Sequence, residues 1–246
     1  MVVNADTFYV SAGKNCRVTE YADMASEVAE DWDRFARLSR LVDHWDRPGW
    51  TPGRRSYHWM LTFEEAPELH ALAARCQERL HLSVLDPVPA DGLHLTLQRL
   101  AFTDQITLAD LDAAVLETHR RLASFSAFTL TVGPLAGSPG AVRFSVQPWK
   151  PVIAVREAVL DVTGVVLGPS RLAAGSAGFR PHIGIAYSNG ANEAQPIVSE
   201  VARLRRLPPA TVRVDAVALV ELRRAGRSYH WDIITRVPLA FSGPDG

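Results

Sequence analysis

The sequence predicts an α+β fold with one or two antiparallel sheets. Short strand patterns and amphipathic helix patterns intermix along the chain, and short connections join several neighbouring strands. The chain has 246 residues, 47% of them hydrophobic and 22% charged, so it is long enough to bury a sizeable core without disulfides or metals.

The spacing of apolar residues and the positions of glycine and proline predict the individual helices and strands. The predicted helices cover residues 25–45, 67–80, 108–122, 153–165 and 194–204. The predicted strands cover residues 57–63, 83–87, 93–100, 128–132, 141–146, 180–187, 211–222 and 228–237, with loops at 133–140 and 168–178. The last two strands are expected to form a hairpin around Ala225 and Gly226.

Three segments are expected along the chain. Residues 1–50 form an N-terminal extension with one helix that packs on the main fold, residues 51–240 form the main domain, and residues 241–246 form a tail. The pentapeptide Arg-Ser-Tyr-His-Trp at 55–59 recurs at 227–231 and opens a strand each time. This repeat indicates either an internal duplication or a coincidence of strand-starting aromatics.

Composition limits the classes of function. A net charge of −1 argues against a chain coated in nucleic acid but allows a local basic cleft. Cys16 and Cys76 form no Cys-x-x-Cys pair, which predicts reduced thiols and no cysteine-based metal site. No secretory signal and no apolar run of ~20 residues is present, so we expect a cytoplasmic protein without a membrane partner.

Two predicted strands carry the residues best suited to chemistry. In Leu-His-Leu-Thr-Leu, His94 and Thr96 share one face; in Arg-Pro-His-Ile-Gly-Ile, His182 and Gly184 share one. The alternate positions are apolar and are expected to face a core. A single His-x-Thr on such a strand is usually a half-exposed surface pair, but two copies favour one shared site.

Paired histidines suit the cleavage of a phosphodiester. The reaction needs a base to activate the attacking oxygen and an acid to protonate the leaving oxygen, and imidazole does both near neutral pH. A hydroxyl beside each imidazole can bind the non-bridging phosphate oxygens. Such a scheme requires no metal or other cofactor.

The two segments resemble the paired His-x-Thr/Ser-x motifs of the 2H phosphoesterase superfamily. That superfamily includes bacterial 2′-5′ RNA ligase-like proteins and RNA 2′,3′-cyclic phosphodiesterases. The lead-in Phe-Arg-Pro-His at 179–182 is similar to the second motif, and residues 47–71 are similar to an actinobacterial-type branch. The resemblance covers residues 45–240 and implies two pseudo-symmetric lobes with antiparallel sheets around a central cleft.

The resemblance also implies roles for individual residues. One of His94 and His182 would be the general base and the other the general acid, and Thr96 would bind phosphate. Arg180 lies two residues before His182, so it is expected to share the face of that histidine and to pair with phosphate.

The second motif departs from the family at Gly184, where a threonine or serine is expected. A water, a backbone amide or Ser188, which has the same strand parity, would then replace the missing hydroxyl, or catalysis would be reduced. Tyr57 and Tyr229 open the duplicated strands and are expected either to line the cleft and stack on a base or to pack in the core.

The remaining histidines show no metal-ligand spacing and are predicted to be packing or surface residues; His58 and His230 are expected to face away from the adjacent tyrosines. No Gly-x4-Gly-Lys loop for ATP is present. We therefore expect a monomeric, metal-independent phosphoesterase for an RNA-type 2′,3′-cyclic phosphate or a 2′-5′ bond. The alternative is a module that binds a nucleotide or RNA end with reduced or lost catalysis.

Overall fold

Two antiparallel sheets organise the computed structural model, which describes residues 26–80, 83–169 and 178–240. Strands β1 (Arg55–Thr62), β3 (His94–Phe102), β8 (Ala216–Arg224) and β9 (Tyr229–Pro238) form a four-stranded sheet in the order β3-β1-β8-β9. Strands β2 (Leu85–Pro87), β4 (Phe128–Ser138), β5 (Ala141–Gln147), β6 (His182–Ser188) and β7 (Ala210–Val214) form a five-stranded sheet in the order β2-β6-β5-β4-β7.

Five helices accompany the sheets in the described ranges. They are α1 (residues 26–36), α2 (Pro67–Arg79), α3 (Leu108–Leu122), α4 (Trp149–Leu167) and α5 (Gln195–Leu204). One buried apolar cluster joins both sheets to the helices and includes Trp59, Leu95, Phe144 and Ile183. The predicted α+β class with two antiparallel sheets is confirmed. None of the helices in the described part of the chain is long and apolar enough to cross a membrane.

Several predicted boundaries differ from the structure. Strand β4 continues to Ser138 through much of the predicted loop, because the chain keeps pairing with β5 after an irregularity between Val132 and Leu135. The predicted strand 211–222 is two strands in different sheets, since the chain crosses from one sheet to the other at Asp215. Helix α4 is longer than predicted, and most of the predicted loop 168–178 lies outside the described residues, as do residues 1–25 and the tail.

The repeated pentapeptide does not mark the two lobes, because both copies lie in the four-stranded sheet. The two copies also face opposite sides. Tyr57 and Trp59 are buried in the main core, whereas Tyr229 and Trp231 pack on the other side of the sheet with Met60. The repeat is therefore not evidence for a duplication of the lobes.

Helix α1 is shorter than the predicted 25–45 and packs against the five-stranded sheet. Phe35 is fully buried, and a Cβ on Gly137 of β4 would overlap the Phe35 ring, so this glycine lets helix and strand approach closely. Asp31 is also fully buried and accepts hydrogen bonds from Ser145 Oγ (2.8 Å) and the Arg143 guanidinium (3.2 Å). The helix is thus fixed to the sheet by both apolar and ionic contacts.

Truncation of Phe35 tests whether α1 is an integral part of this lobe. Phe35→Ala removes a fully buried ring, and we expect a loss of about 3–5 kcal/mol in the free energy of unfolding, measured by chemical denaturation. Leu108→Ala, at a position that is 74% exposed, is the control and should change it by less than about 0.5 kcal/mol. A loss below about 1 kcal/mol for Phe35→Ala would show that α1 is not needed for folding.

Candidate active site

His94 begins β3 and is oriented by a backbone carbonyl. Its Nδ1 lies 2.8 Å from the carbonyl oxygen of Gly92. Because a carbonyl only accepts, Nδ1 carries the proton in the neutral ring and Nε2 keeps a free lone pair. The indole of Trp231 packs edge-on against the imidazole, with ring centroids 5.1 Å apart. Burial lowers the pKa of His94, so the ring is neutral at pH 7.

His182 begins β6 and repeats this arrangement. Its Nδ1 lies 2.7 Å from the carbonyl oxygen of Arg180, again two residues earlier, so Nε2 is free. The residue is exposed, yet the surrounding protein partly desolvates its ring. This desolvation, followed by repulsion from the Arg143 guanidinium, lowers the pKa of His182 to about 4.

Both histidines line one cavity of about 560 Å³ between the two sheets, called the cleft below. Thr96 and Gly184 line the cleft beside their histidines, as strand alternation predicts. The cleft is lined by His44, Arg47, Pro48, Trp50, His58, Met60, His94, Thr96, Arg99, Ser138, Ala141, His182, Gly184, Tyr187, Leu222 and Tyr229. Among these described residues four are histidines, two are arginines and none is acidic, so the lining suits an anion.

The alternation that places the histidines breaks down three residues later in each strand. Leu97 of β3 has no counterpart in β1, and Ile185 of β6 has none in β5. Each extra residue forms a β-bulge that reverses which later side chains face the cleft. The expectation for Ser188 is therefore wrong: its side chain is fully buried and donates to the Gly190 carbonyl at 2.9 Å.

Tyr57 faces the core, which is one of the two alternatives expected for it, and His58 faces the cleft, although the sequence predicts a packing or surface residue. Tyr57 is 8% exposed and belongs to the core with Trp59 and Leu61, whereas His58 lines the cleft. The sequence contains a signal for this orientation, because Trp59 and Leu61 share the parity of Tyr57 and only Met60 shares that of His58.

His58 is held deep in the cleft wall. Burial, and then the charge of Arg99, lower the pKa of His58 to about 3, and its Nε2 lies 2.8 Å from Ser56 Oγ. In the described part of the chain its Nδ1 is buried without a hydrogen-bond partner. His58 is therefore neutral: it forms part of the cleft wall and adds no positive charge to that of Arg99.

Arg180 is not placed to meet a phosphate in the cleft. Its guanidinium donates to Asp31 at 2.5 Å and to Glu30 at 3.1 Å, and it lines a neighbouring cavity on the other side of His182. Although burial opposes ionisation of Asp31, the Arg143 and Arg180 guanidinium groups keep its pKa below the usual value. The side chain of Arg180 therefore faces Asp31 and Glu30 of α1, which lie outside the two motifs, and not the expected phosphate position.

Residues 44–50 supply one wall of the cleft, whereas the sequence predicts that they belong to an N-terminal extension. Arg47 donates to His44 Nδ1 at 3.1 Å, so the neutral His44 carries its proton on Nε2 and donates to the Tyr229 hydroxyl oxygen at 3.1 Å. Arg224 donates to the same oxygen at 3.2 Å. Tyr229 therefore lies in the cleft, which is one of the two alternatives expected for it. Because its oxygen accepts both bonds, its own O–H remains available as a donor.

A second cavity, of about 750 Å³, lies away from the histidines, between the N-terminus of α2 and strand β7. It is lined by both acidic and basic groups, including Glu64, Glu68 and Arg236. It contains none of the predicted site residues. Within the described ranges, no three His, Cys, Asp or Glu side chains are grouped so that they could hold a metal ion.

Two antiparallel sheets that present paired histidines across one cleft define a two-histidine architecture. Residues 63–226 match the family described as the 2′-5′ RNA ligase superfamily. Since this match spans more than half of the sequence, the chain belongs to that superfamily. No match was found among curated protein sequences.

Solved structures share the fold at low sequence identity. The protein TT0787 of Thermus thermophilus superposes with a TM-score of 0.57 at 19% identity, over 76% of this chain and 97% of that one. LigT of E. coli, solved with 3′-AMP, gives a TM-score of 0.55 at 19% identity, over 76% and 98% of the two chains. LigT has also been solved with ATP and with NADP+.

The buried His44 makes the stability of the fold depend on pH. Burial, followed by repulsion from Arg47 and Arg224, lowers the pKa of His44 to about 3, so the folded state stays neutral where the unfolded chain is protonated. Stability is therefore full above pH 6.5 and falls as the pH drops below it, by about 2 kcal/mol at pH 5 from this residue. We expect the difference in unfolding free energy between pH 7 and pH 5 to shrink by that amount in His44→Asn.

His119→Asn, at an exposed position of α3, is the matched control for the His44 measurement. Chemical denaturation of the three proteins at both pH values gives the comparison. An unchanged pH dependence in His44→Asn would contradict the assignment of His44 as a neutral buried ring.

Proposed function

We propose that this protein is a phosphoesterase that acts on an RNA-type 2′,3′-cyclic phosphate or a 2′-5′ phosphodiester bond by two-histidine acid–base catalysis. One observation carries the proposal: His94 and His182 reach a single cleft from two different sheets, each with Nδ1 bound to a carbonyl and Nε2 left for a substrate.

The arrangement supports in-line displacement at phosphorus. In hydrolysis, the Nε2 lone pair of one histidine takes a proton from water as the water oxygen attacks phosphorus. The Nε2–H of the other, protonated, histidine is transferred to the departing ribose oxygen as the P–O bond breaks. Thr96, on the same face as His94, donates a hydrogen bond to a non-bridging oxygen. The scheme involves no metal.

The lowered pKa values of both histidines have two consequences. A protonated ring is a stronger general acid, and the negative charge of the substrate is needed to favour that protonation. Without ligand, desolvation lowers the pKa of both histidines, and the Arg143 guanidinium lowers that of His182 further, so both rings are neutral at pH 7. A phosphate anion between them favours protonation of one ring, because an opposite charge within ~4–6 Å stabilises the imidazolium. Arg47 and Arg99, which also line the cleft, add to the attraction for the anion.

The relatives support a nucleotide or RNA substrate. LigT, which shares the fold, has been solved with 3′-AMP, ATP and NADP+, all of them nucleotides with phosphate groups. The similarity of residues 47–71 to an actinobacterial-type branch supports membership of that branch. In this proposal the protein works as a monomer in the cytoplasm.

Gly184 favours a second candidate function. Because this position lacks the hydroxyl of the second motif, the same cleft would bind a nucleotide or RNA end with little turnover. Loss of one such donor typically lowers a rate by ~10²–10³. Turnover and binding measured on the same preparation separate the two functions.

Replacement of either histidine should lower turnover by orders of magnitude. His94→Ala and His182→Ala each remove one proton-transfer group, and we expect kcat for a 2′,3′-cyclic nucleotide to fall by about 10²–10⁴. EDTA should leave the wild-type rate unchanged, and His119→Ala on the exposed face of α3 should retain it. A variant that keeps more than a tenth of the rate would contradict the assignment, and wild-type binding without turnover would favour the binding module.

The pH profile of kcat/KM follows from the free-enzyme pKa values. The reaction needs one histidine protonated and one neutral, so the optimum lies between their two pKa values. Because the pKa of His182 is about 4 and that of His94 is below 6.5, we expect the optimum below pH 6.5 and a fall toward pH 8. Samples returned to pH 7 after each measurement control for unfolding; an optimum above pH 6.5 would contradict the account.

A further inference from the structure

Each of the strands that carry a paired histidine places one further side chain in the cleft, five positions after its histidine. Arg99 follows His94 by five positions, and Tyr187 follows His182 by five positions. Strict alternation would turn both side chains toward the core, but the bulges at Leu97 and Ile185 return them to the cleft face. The two strands therefore present His-x-Thr-x-x-Arg and His-x-Gly-x-x-Tyr on their cleft faces.

The Tyr187 hydroxyl lies beside the position where the second motif lacks its own. A Cβ built on Gly184 would be 3.5 Å from the Tyr187 hydroxyl oxygen and 3.4 Å from ring atom Cε1. A serine hydroxyl at position 184 would project from that Cβ by a single C–O bond. The Tyr187 hydroxyl oxygen therefore lies close to the position that the hydroxyl of a serine or threonine at 184 would occupy.

The Tyr187 ring is held rigidly in this position. It stacks on His44 with ring centroids 3.8 Å apart, and Trp45 and Tyr229 pack edge-on against it at 5.5 and 5.6 Å. The side chain is 8% exposed, and no described residue accepts a hydrogen bond from its hydroxyl. Burial raises the pKa of Tyr187, so the hydroxyl remains a donor at every working pH.

We propose that Tyr187 is a phosphate-binding residue of the cleft, whose hydroxyl donates to a non-bridging phosphate oxygen on the His182 side, as Thr96 does on the His94 side. The inference rests on the proposed phosphoesterase function and deepens it. Gly184 is then not a defect: the absence of a side chain there gives the phosphate access to the tyrosine hydroxyl. The catalytic site keeps a donor beside each histidine.

Tyr187→Phe tests the proposal with little change in packing, since the hydroxyl makes no hydrogen bond within the described part of the chain. We expect kcat for a 2′,3′-cyclic nucleotide to fall by about 10²-fold. Gly184→Ser in that background should restore at least tenfold, because the serine hydroxyl replaces the missing donor. In the wild-type background Gly184→Ser should change the rate less than about threefold.

Tyr57→Phe is the matched control, because it removes a tyrosine hydroxyl that lies outside the cleft. A wild-type rate in Tyr187→Phe, or the same gain from Gly184→Ser in both backgrounds, would overturn the role of Tyr187 alone. If the wild type binds the cyclic nucleotide without turnover, calorimetry replaces kinetics, and Tyr187→Phe should weaken binding at least fivefold. A wild-type protein that neither binds nor converts it would refute the proposed function itself.

Discussion

A hydrogen bond from each imidazole Nδ1 to the carbonyl two residues earlier is the constraint on which the site depends. It fixes the orientation of His94 and His182 and leaves Nε2 as the nitrogen that faces a ligand. The two carbonyls are themselves held in place. The Gly92 carbonyl belongs to the last residue of a short 3₁₀ turn, Ala90–Gly92. The Arg180 backbone is anchored because its side chain is bound by Asp31 and Glu30 of α1.

This connection gives α1 a part in the site without placing it in the cleft. Asp31 is fully buried, and its partners Arg143 and Arg180 flank the strand that carries His182. A buried carboxylate of this kind persists only when its ion pairs and hydrogen bonds are complete. Arg143 also lies close enough to His182 to lower its pKa. Structure outside the two motifs thus influences both the position and the acidity of one of the paired histidines, His182.

The parts of the site that depend on local alternation were predictable from the sequence. His94 with Thr96, and His182 with Gly184, obey a two-residue period, and the predicted strands agree with β3 and β6 to within a few residues. Ser188 and Tyr187 lie beyond a bulge, where that period no longer applies. The bulge at Ile185 is visible only once β6 is paired with β5, so no pattern within β6 alone could reveal it.

Long-range contacts account for the remaining differences. Arg180 meets acids about 150 positions away in sequence, and His44 meets Tyr229 across 185 positions. Such pairs have no local signature. The orientation of Tyr57 is different, because the apolar residues that share its parity are present in the sequence itself.

The central claim is that both histidines present an unprotonated Nε2 to the cleft, and imidazole ¹⁵N NMR tests it most directly. At pH 7 the spectra should show His94 and His182 as the Nδ1–H tautomer and His44 as the Nε2–H tautomer, with assignments made from His→Asn variants. Addition of a ribonucleoside 2′-phosphate should raise the pKa of at least one of the paired histidines. Nε2–H tautomers at His94 and His182, with no response to the nucleotide, would contradict the account.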